Sequence, residues 1–323
     1  MLLQNDSFDF FSRLLVLIFL SISWLSPSPC PAQALPALEG DVVGAVTRYE
    51  IKAKDTLYGV ARQFDLGIVE LLAANPGIDP WLPKPGTELI VPAAHVLPAG
   101  IRQGIVINLS ELRLFYFHDP QAVMTFPVGI GMEGWPTPTG TTRVVKKREN
   151  PSWRPPDSMR QEDPGLPEVV APGPDNPLGA YALNLDWPGY IIHGTNRPYG
   201  IGKRSSHGCI RLYPEDIAVL FNLVEEGTPV TVIDVPYKLG WRRNKLFLEV
   251  PPTQQQADKI VQHKQPELYD IPEVYYAVQQ AAGGQVRINW RAVKDAVIWR
   301  TGIPVVAATK AEWPSETSFK AAD

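Results

Sequence analysis

Proline is the residue that most limits how this chain can fold. It occurs 33 times in 323 residues, and a proline inside a helix removes a backbone hydrogen bond and clashes with the preceding turn. Between the prolines lie short runs rich in β-branched and aromatic residues, such as "GIVINLSELRLFYF" and "PVTVID". Such runs are typical of strands. The sequence therefore predicts a mainly β protein with many loops.

The first 34 residues are predicted to be an export signal. Arg13 precedes an apolar run from Leu14 to Leu25, which is shorter than the roughly 20 residues that span a bilayer. The run is followed by Ala32-Gln33-Ala34, which has the A-x-A form of a signal cleavage site. We therefore expect an exported protein whose mature chain starts at Leu35.

Cysteine use narrows the possible chemistry. Of the two cysteines, Cys30 falls within the signal, and Pro29 before it is not the small residue that lipidation of a cysteine needs. Cleavage leaves Cys209 as the single thiol of an exported chain, although cysteines in an oxidising compartment normally pair. Its surroundings, "SSHGC", argue against an inert core position. A net charge of −4 without a basic run gives no reason to expect nucleic acid as a partner.

Residues 47–93 are predicted to form a small module of β-α-α-β order. A strand begins at Tyr49, and Asp55 is the expected N-cap of a helix with one apolar face. Gly67 is expected to end that helix, and "NPG" stops a second one. A closing strand is expected to end at Pro92.

The segments "YEIKAKDTLYGVARQF", "LLAANPG" and "KPGTELIVP" of this module resemble the LysM family. The resemblance implies binding to glycan that contains N-acetylglucosamine, with peptidoglycan as the expected partner. A spacer module without a ligand is the alternative.

Residues 101–235 are predicted to form a second, strand-rich domain. One helix is expected to start at Pro214 and to end at Gly227. The segment from Pro151 to Pro177 holds eight prolines and no periodicity, which predicts either a functional lid or a disordered insert. Residues 236–323 are interpreted as an accessory extension without recognisable chemistry.

The stretch around Cys209 carries the chemistry of the chain. A thiol attacks as thiolate, so a reactive cysteine needs a base or a positive neighbour, and His193, His207 and Arg211 are the candidates. Three interpretations follow from the residues alone: a cysteine nucleophile with a histidine base, a metal site of two histidines and a thiolate, and a structural turn with a buried cysteine. The metal site lacks a second cysteine or an acid at ligand spacing.

The stretch "HGTNRPYGIGKRSSHGCIRL" resembles the signature of the YkuD-type L,D-transpeptidases, and "TPTGTTRV" and "NPSWRPP" support the likeness. With Arg211 two residues after the cysteine and a LysM-like segment ahead of it, the chain is similar to the periplasmic ErfK/YbiS-like branch of Gram-negative bacteria. Pro214 stands where asparagine is common in that branch. The resemblance implies a β-sandwich catalytic domain with a cysteine at its cleft. The reaction that it implies needs neither a cofactor nor a metal.

Residue roles are carried over from this resemblance. Cys209 would be the nucleophile, His193 the general base, and the Gly194 carbonyl would orient the imidazole. The backbone N–H groups of Gly208 and Cys209 would form the oxyanion hole. Cys209 would attack the diamino acid at position 3 of a tetrapeptide stem and release D-alanine.

Three more residues are assigned to substrate binding. His207 would support the oxyanion, and Arg211 would lower the thiol pKa or hold a substrate carboxylate, with a structural ion pair as its alternative. Ser206 is interpreted as a turn residue beside the substrate. The acyl group would pass to the amine of another stem or to a lysine of an envelope lipoprotein. A carboxypeptidase or amidase acting on the same stems, and a catalytically idle envelope-binding protein, are the competing functions.

Overall fold

The computed structural model describes residues 38–263, 266–284 and 286–310. The predicted signal, residues 1–34, lies outside the described residues. Within those three ranges, no helix has the length and apolar character needed to cross a membrane. The described chain has an N-terminal region (38–96), a central region (101–235) and a C-terminal region (238–310).

The N-terminal region has the predicted β-α-α-β order: β1 (Val42–Glu50), α1 (Leu57–Gln63), α2 (Ile68–Ala74) and β2 (Glu88–Val96). The two strands pair antiparallel along their whole length, from Val42 opposite Val96 to Glu50 opposite Glu88. Strand β2 does not end at Pro92, as predicted, but continues through it. A proline is tolerated there because this is a two-stranded sheet, in which a strand can leave one edge unpaired.

Two further expectations for this region were wrong. Thr56, not Asp55, caps α1, since its hydroxyl accepts from the Gly59 N–H at 3.1 Å. The Asp55 carboxylate instead accepts from the Tyr49 hydroxyl and from a backbone N–H. Gly67 does not end α1, but stands at the N-cap of α2, where its own N–H donates to the side chain of Glu70 at 2.6 Å.

The central region contains the elements β3 (Gly104–Asn108), β4 (Arg113–Asp119), β5 (Ala122–Pro127), β6 (Ile130–Gly131), β7 (Gly140–Glu149), α3 (Asp157–Glu162), β8 (Tyr181–Leu185), β9 (Ile191–His193), β10 (Arg204–Ser206), β11 (Ile210–Arg211), α4 (Pro214–Leu223) and β12 (Pro229–Ile233). It is a β-sandwich built on one curled sheet of eight strands, in the order β11-β9-β8-β7-β12-β3-β4-β5.

Strand β7 joins the two halves of this sheet, β11-β9-β8 and β12-β3-β4-β5. It pairs with β12 and, past an irregularity between Val144 and Lys146, with β8. Ile105 and Leu114 from one half and Leu183 and Ile192 from the other share one apolar core.

Helix α4 confirms the predicted start at Pro214, a residue that suits the first helical position because its missing N–H has no partner there. The helix ends at Leu223, earlier than the predicted Gly227. Its inner face, with Ile217 and Leu220, packs into the core of the sandwich.

The proline-rich insert from Pro151 to Pro177 is folded, so the alternative of a disordered insert was wrong. The backbones of Trp153 and Val170 exchange two hydrogen bonds of 2.9 and 2.8 Å. The fully buried Asn176 donates to the carbonyls of Pro151 and Ala171 and accepts from a backbone N–H. These bonds close the insert onto itself.

The C-terminal region, interpreted from sequence as an extension, is a folded α/β layer. Its elements are β13 (Lys238–Arg242), β14 (Lys245–Glu249), α5 (Gln254–Val261), α6 (Pro272–Ala282), β15 (Val286–Ile288), α7 (Trp290–Trp299) and β16 (Val305–Lys310). Its sheet has the order β13-β14-β16-β15 and is antiparallel throughout. Leu248, Val274 and Val293 are among the residues of its own apolar core.

A buried ionic cluster joins the three regions. The Lys238 ammonium lies 2.5 Å from the Glu111 carboxylate and 3.0 Å from that of Glu249, and Glu249 also accepts from the backbone N–H of Val96. Burial raises the pKa of Glu111 to about 7. His95, Glu111 and Glu249 are close enough to hold a metal ion, but Lys238 already supplies a positive charge to both carboxylates.

Candidate active site

A cavity of about 770 Å³ lies between the proline-rich insert and the end of the sheet that carries β9 and β11. It contains each predicted side chain of the site: Cys209, His193, His207, Arg211 and Ser206. Part of its wall comes from the insert: Trp153, Met159, Leu166 and Pro177. The insert therefore borders the site, and its function as a lid stays a prediction.

The sheet brings together two residues that are sixteen positions apart in the chain. Strand β9 ends at His193, and β11, which begins directly after Cys209, pairs with it in parallel. Ile210 stands opposite Ile192 and Arg211 opposite His193. The long connection that parallel pairing requires is the stretch "GTNRPYGIGKRSSHGC".

The imidazole of His193 is buried and is oriented by the backbone. Its Nδ1 lies 2.6 Å from the carbonyl oxygen of Gly194. Burial, reinforced by the charge of Arg211, lowers the pKa of His193 to about 3. The ring is therefore neutral at pH 7, and donation from Nδ1–H to the carbonyl leaves Nε2 as the acceptor. Such a ring can accept a proton.

The thiol of Cys209 is half-buried, and Sγ donates to the carbonyl of Gly189 at 3.6 Å. Burial raises its pKa, although the backbone N–H of Ile191 and the charge of Arg211 act in the opposite direction. Within the described part of the chain, no hydrogen bond joins this thiol to His193. Catalytic hydrogen bonds are often long or poorly aligned before substrate binds. The resting pair is thus a neutral thiol and a neutral imidazole.

The turn before the thiol requires glycine at position 208. Its φ is +98°, and a Cβ there would lie 3.0 Å from the ring of Tyr190. The Thr137 hydroxyl donates to the Gly208 carbonyl at 2.8 Å and accepts from the Gly131 N–H at 3.0 Å. Thr137 lies in "TPTGTTRV", where no local pattern marks it as a positioning residue.

Ser206 and Arg211 brace the same turn. The Ser206 hydroxyl donates to the carbonyl of Cys209 at 2.5 Å, and Arg211 Nη1 donates to the carbonyl of Ser205 at 2.8 Å. The Nε of Arg211 is buried and has no hydrogen-bond partner among the described residues. Arg148, Arg154 and Arg197 also line the cavity. Four guanidinium groups make the cavity suitable for a carboxylate.

His207 connects the turn to the insert. Its Nε2 lies 3.3 Å from a carboxylate oxygen of Glu162 on α3, and its ring meets the edge of Trp135 with centroids 5.0 Å apart. The two histidines therefore occupy different surroundings: His193 is held by the sheet, and His207 by the insert.

Family models match both folded modules ahead of the C-terminal region. Residues 102–232 match the L,D-transpeptidase catalytic domain, known as YkuD. Residues 49–92 match the LysM domain.

Curated relatives carry the same assignment. Three from Escherichia coli are named as probable L,D-transpeptidases: YcfS, 36% identical over 86% of this chain and 89% of its own; YbiS, 39% identical over 76% and 81%; and ErfK/SrfK, 46% identical over 55% and 59%. Among solved structures, the NMR structure of the catalytic domain from E. faecium L,D-transpeptidase is 28% identical, covers 42% of this chain and all of that one, and aligns with a TM-score of 0.33.

The chain belongs to the L,D-transpeptidase family. It is an L,D-transpeptidase that carries a LysM domain ahead of the catalytic domain. The predicted enzyme class and the predicted β-sandwich fold are confirmed.

Proposed function

We propose that the cavity performs cysteine acyl transfer on the tetrapeptide stems of peptidoglycan, with Cys209 as the nucleophile and His193 as the base. The observation that carries this proposal is the arrangement of His193. Its Nδ1 is 2.6 Å from the Gly194 carbonyl, so the neutral ring has its lone pair on Nε2. It faces the same cavity as Cys209, the one cysteine of the described residues.

In the first step, the Cys209 thiol transfers its proton to His193 Nε2, and Sγ bonds to the carbonyl carbon of the diamino acid at position 3. The negative oxygen is stabilised by the backbone N–H groups of Gly208 and Cys209. When the oxygen collapses back to a carbonyl, the C–N bond to D-alanine breaks. D-Alanine leaves with the proton from His193, and a thioester remains.

In the second step, an amine attacks the thioester carbonyl and transfers a proton to His193. The C–S bond breaks, an amide forms, and the thiol is regenerated by the proton from His193. The acceptor is the side-chain amine of another stem, which gives a 3→3 cross-link, or a lysine of an envelope lipoprotein.

Substrate selection is assigned to the arginine side chains that line the cavity and to the insert. Arg211 and Arg197 suit the free carboxylate of the departing D-alanine, because guanidinium groups bind carboxylates through paired hydrogen bonds. His207 and Ser206 hold the nucleophile turn against the stem. The insert limits water in the cavity, which favours transfer to an amine over hydrolysis of the thioester.

The LysM domain is proposed to hold the enzyme on the glycan strands of peptidoglycan. The proposed location is the periplasm, reached with the signal of residues 1–34 and after cleavage before Leu35. Both proposals are supported by the LysM match and by the sequence features of the N-terminus.

The test is a product analysis on purified disaccharide-tetrapeptides. Cross-linked dimers with release of D-alanine are expected, and adding a lipoprotein C-terminal peptide tests the other acceptor. Cys209→Ala, which removes only the sulfur, is the matched control and should be inactive. Tripeptides as the sole product would assign the protein as a carboxypeptidase, and no reaction would identify a binding protein.

A further inference from the structure

The LysM domain contacts the segment that links His193 to Cys209. Two glycines meet at this contact: a Cβ on Gly67 would lie 2.6 Å from the Cα of Gly202, and a Cβ on Gly202 would lie 2.1 Å from the Cα of Gly67. The N–H of Val69 donates to the Gly202 carbonyl at 3.3 Å. Neither position can hold a larger residue without separating the two domains.

This contact assembles a cluster of three aromatic rings from two domains. Tyr58 of α1 and Trp81 of the α2–β2 loop lie 4.5 Å apart by ring centroid. Tyr199 comes from the catalytic domain, and its ring lies 5.5 Å from that of Tyr58 and 5.6 Å from that of Trp81. Lys203 Nζ stands 5.4 Å from the centroid of Tyr58.

Two of the rings face solvent, with 49% of Trp81 and 54% of Tyr199 exposed. The loop that presents Trp81 is fixed by its backbone: the Asp79 carboxylate accepts from the N–H groups of Trp81 and of its neighbour at 2.8 and 2.9 Å. The Pro80 carbonyl also accepts from the first residue of α1 at 2.8 Å. Tyr58, only 9% exposed, packs behind these two rings. Two exposed rings held in a fixed position indicate a binding surface.

The chemistry of the surface favours a sugar chain as its occupant. Large flat rings of Trp and Tyr supply apolar contact area at a small loss of conformational entropy, and the C–H faces of a pyranose match them. The surface also adjoins the active site, because Arg197, two residues before Tyr199, lines the catalytic cavity. A glycan strand and its own stem peptide could therefore contact one continuous stretch of protein.

We propose that Trp81 and Tyr199, packed against Tyr58, form one sugar-binding surface for N-acetylhexosamine units, to which the catalytic domain contributes Tyr199. The inference rests on the proposed function, since it assumes a peptidoglycan substrate. It goes further by assigning a catalytic-domain residue to glycan binding. As a consequence, a stem attached to its glycan is a better donor than the same stem free in solution.

Isothermal titration of the full chain with chitotetraose tests the surface. Trp81→Ala and Tyr199→Ala should each raise Kd by about fivefold to tenfold, the loss expected for one aromatic contact. Tyr199→Phe keeps the ring and should bind like the wild type. Tyr276→Ala, which removes a 66% exposed ring from α6 in the C-terminal region, is the matched control and should leave Kd unchanged. Thermal unfolding of each variant verifies folding.

Three outcomes would overturn the proposal. Wild-type Kd in Tyr199→Ala would confine sugar binding to the LysM domain. Lower melting temperatures with unchanged Kd in both alanine variants would assign the rings to packing between domains. Failure of the wild type to bind chitotetraose would remove the sugar as occupant. Acylation of Cys209 by a carbapenem in the same preparation separates these results from failure of the proposed enzyme chemistry.

Discussion

The ion pair between Arg113 and Glu70 gives the sharpest test of how the LysM domain is held. Only 1% of the Arg113 side chain is exposed. Its guanidinium makes two bonds of 2.8 Å to the Glu70 carboxylate, and further bonds to the Asp65 carbonyl and the Thr125 hydroxyl. Arg113→Met keeps much of the side-chain volume but leaves the Glu70 charge with the Gly67 N–H as its remaining donor.

Removing one partner of a buried ion pair lowers the free energy of unfolding by about 3–5 kcal/mol, because the other charge stays buried without compensation. At about 2–4 °C per kcal/mol, Arg113→Met should lower the melting temperature by about 6–20 °C. The matched control is Arg62→Met, which breaks a second bidentate pair between the same two domains. The side chains of Arg62 and Glu215 are 42% and 46% exposed, so this change should cost less than about 1 kcal/mol.

Differential scanning calorimetry of both variants decides the question, together with the double variant Arg113→Met/Glu70→Met. Removing both charges should recover part of the lost stability, because no buried charge then lacks a partner. The reasoning is refuted if Arg113→Met is no less stable than Arg62→Met, or if the double variant is less stable than Arg113→Met alone.

Three further predictions concern the cavity. His193→Ala should slow carbapenem acylation of Cys209 by about 10²-fold, the usual loss for a missing base. His207→Ala should keep the wild-type pH profile of acylation. Stopped-flow kinetics that show the reverse would exchange the roles of the two histidines. Arg211→Met should shift the pH profile of iodoacetamide alkylation to higher pH, because Arg211 lowers the Cys209 pKa; Arg211→Lys should restore it, and a shift to lower pH would contradict the assignment. Asn176→Ala should lower the free energy of unfolding by about 1–3 kcal/mol, because buried carbonyls lose their donor. It should also speed proteolysis within the insert. An unchanged cleavage rate would show that Asn176 does not hold the insert closed.

The sequence predicted best what depends on neighbouring residues. The strand-rich runs, the start of α4 at Pro214 and the turn ending in Cys209 all follow from local backbone preferences. The error at the first helix shows the limit of such reasoning. Asp55 and Thr56 are both capable caps, and the choice depends on Asp55 being engaged by the Tyr49 hydroxyl across a loop.

Long-range contacts account for what the sequence did not predict. Asn176 closes the insert by reaching carbonyls five and twenty-five residues away, and Lys238 pairs with Glu111 across 127 residues. No periodicity signals such pairs. The C-terminal sheet was missed because its strands are short and are interrupted by helices, so that the core around Leu248 exists only after folding.

The same limit applies to the aromatic surface. Trp81 and Tyr199 are separated by 118 residues and meet because Gly67 and Gly202 allow two backbones to touch. Each aromatic residue alone resembles an ordinary surface position. Their joint position beside the catalytic cavity is visible only in the folded chain.

The central claim is that Cys209 carries the acyl group of a stem peptide, and the acyl-enzyme itself is its most direct test. Purified protein is mixed with a disaccharide-tetrapeptide, quenched in acid within a turnover, and measured by intact mass. The account predicts an added mass equal to the disaccharide-tripeptide acyl group on Cys209, one D-alanine released per adduct, and no adduct on Cys209→Ala. An adduct that persists on Cys209→Ala, or D-alanine release without any adduct on the wild type, would contradict it.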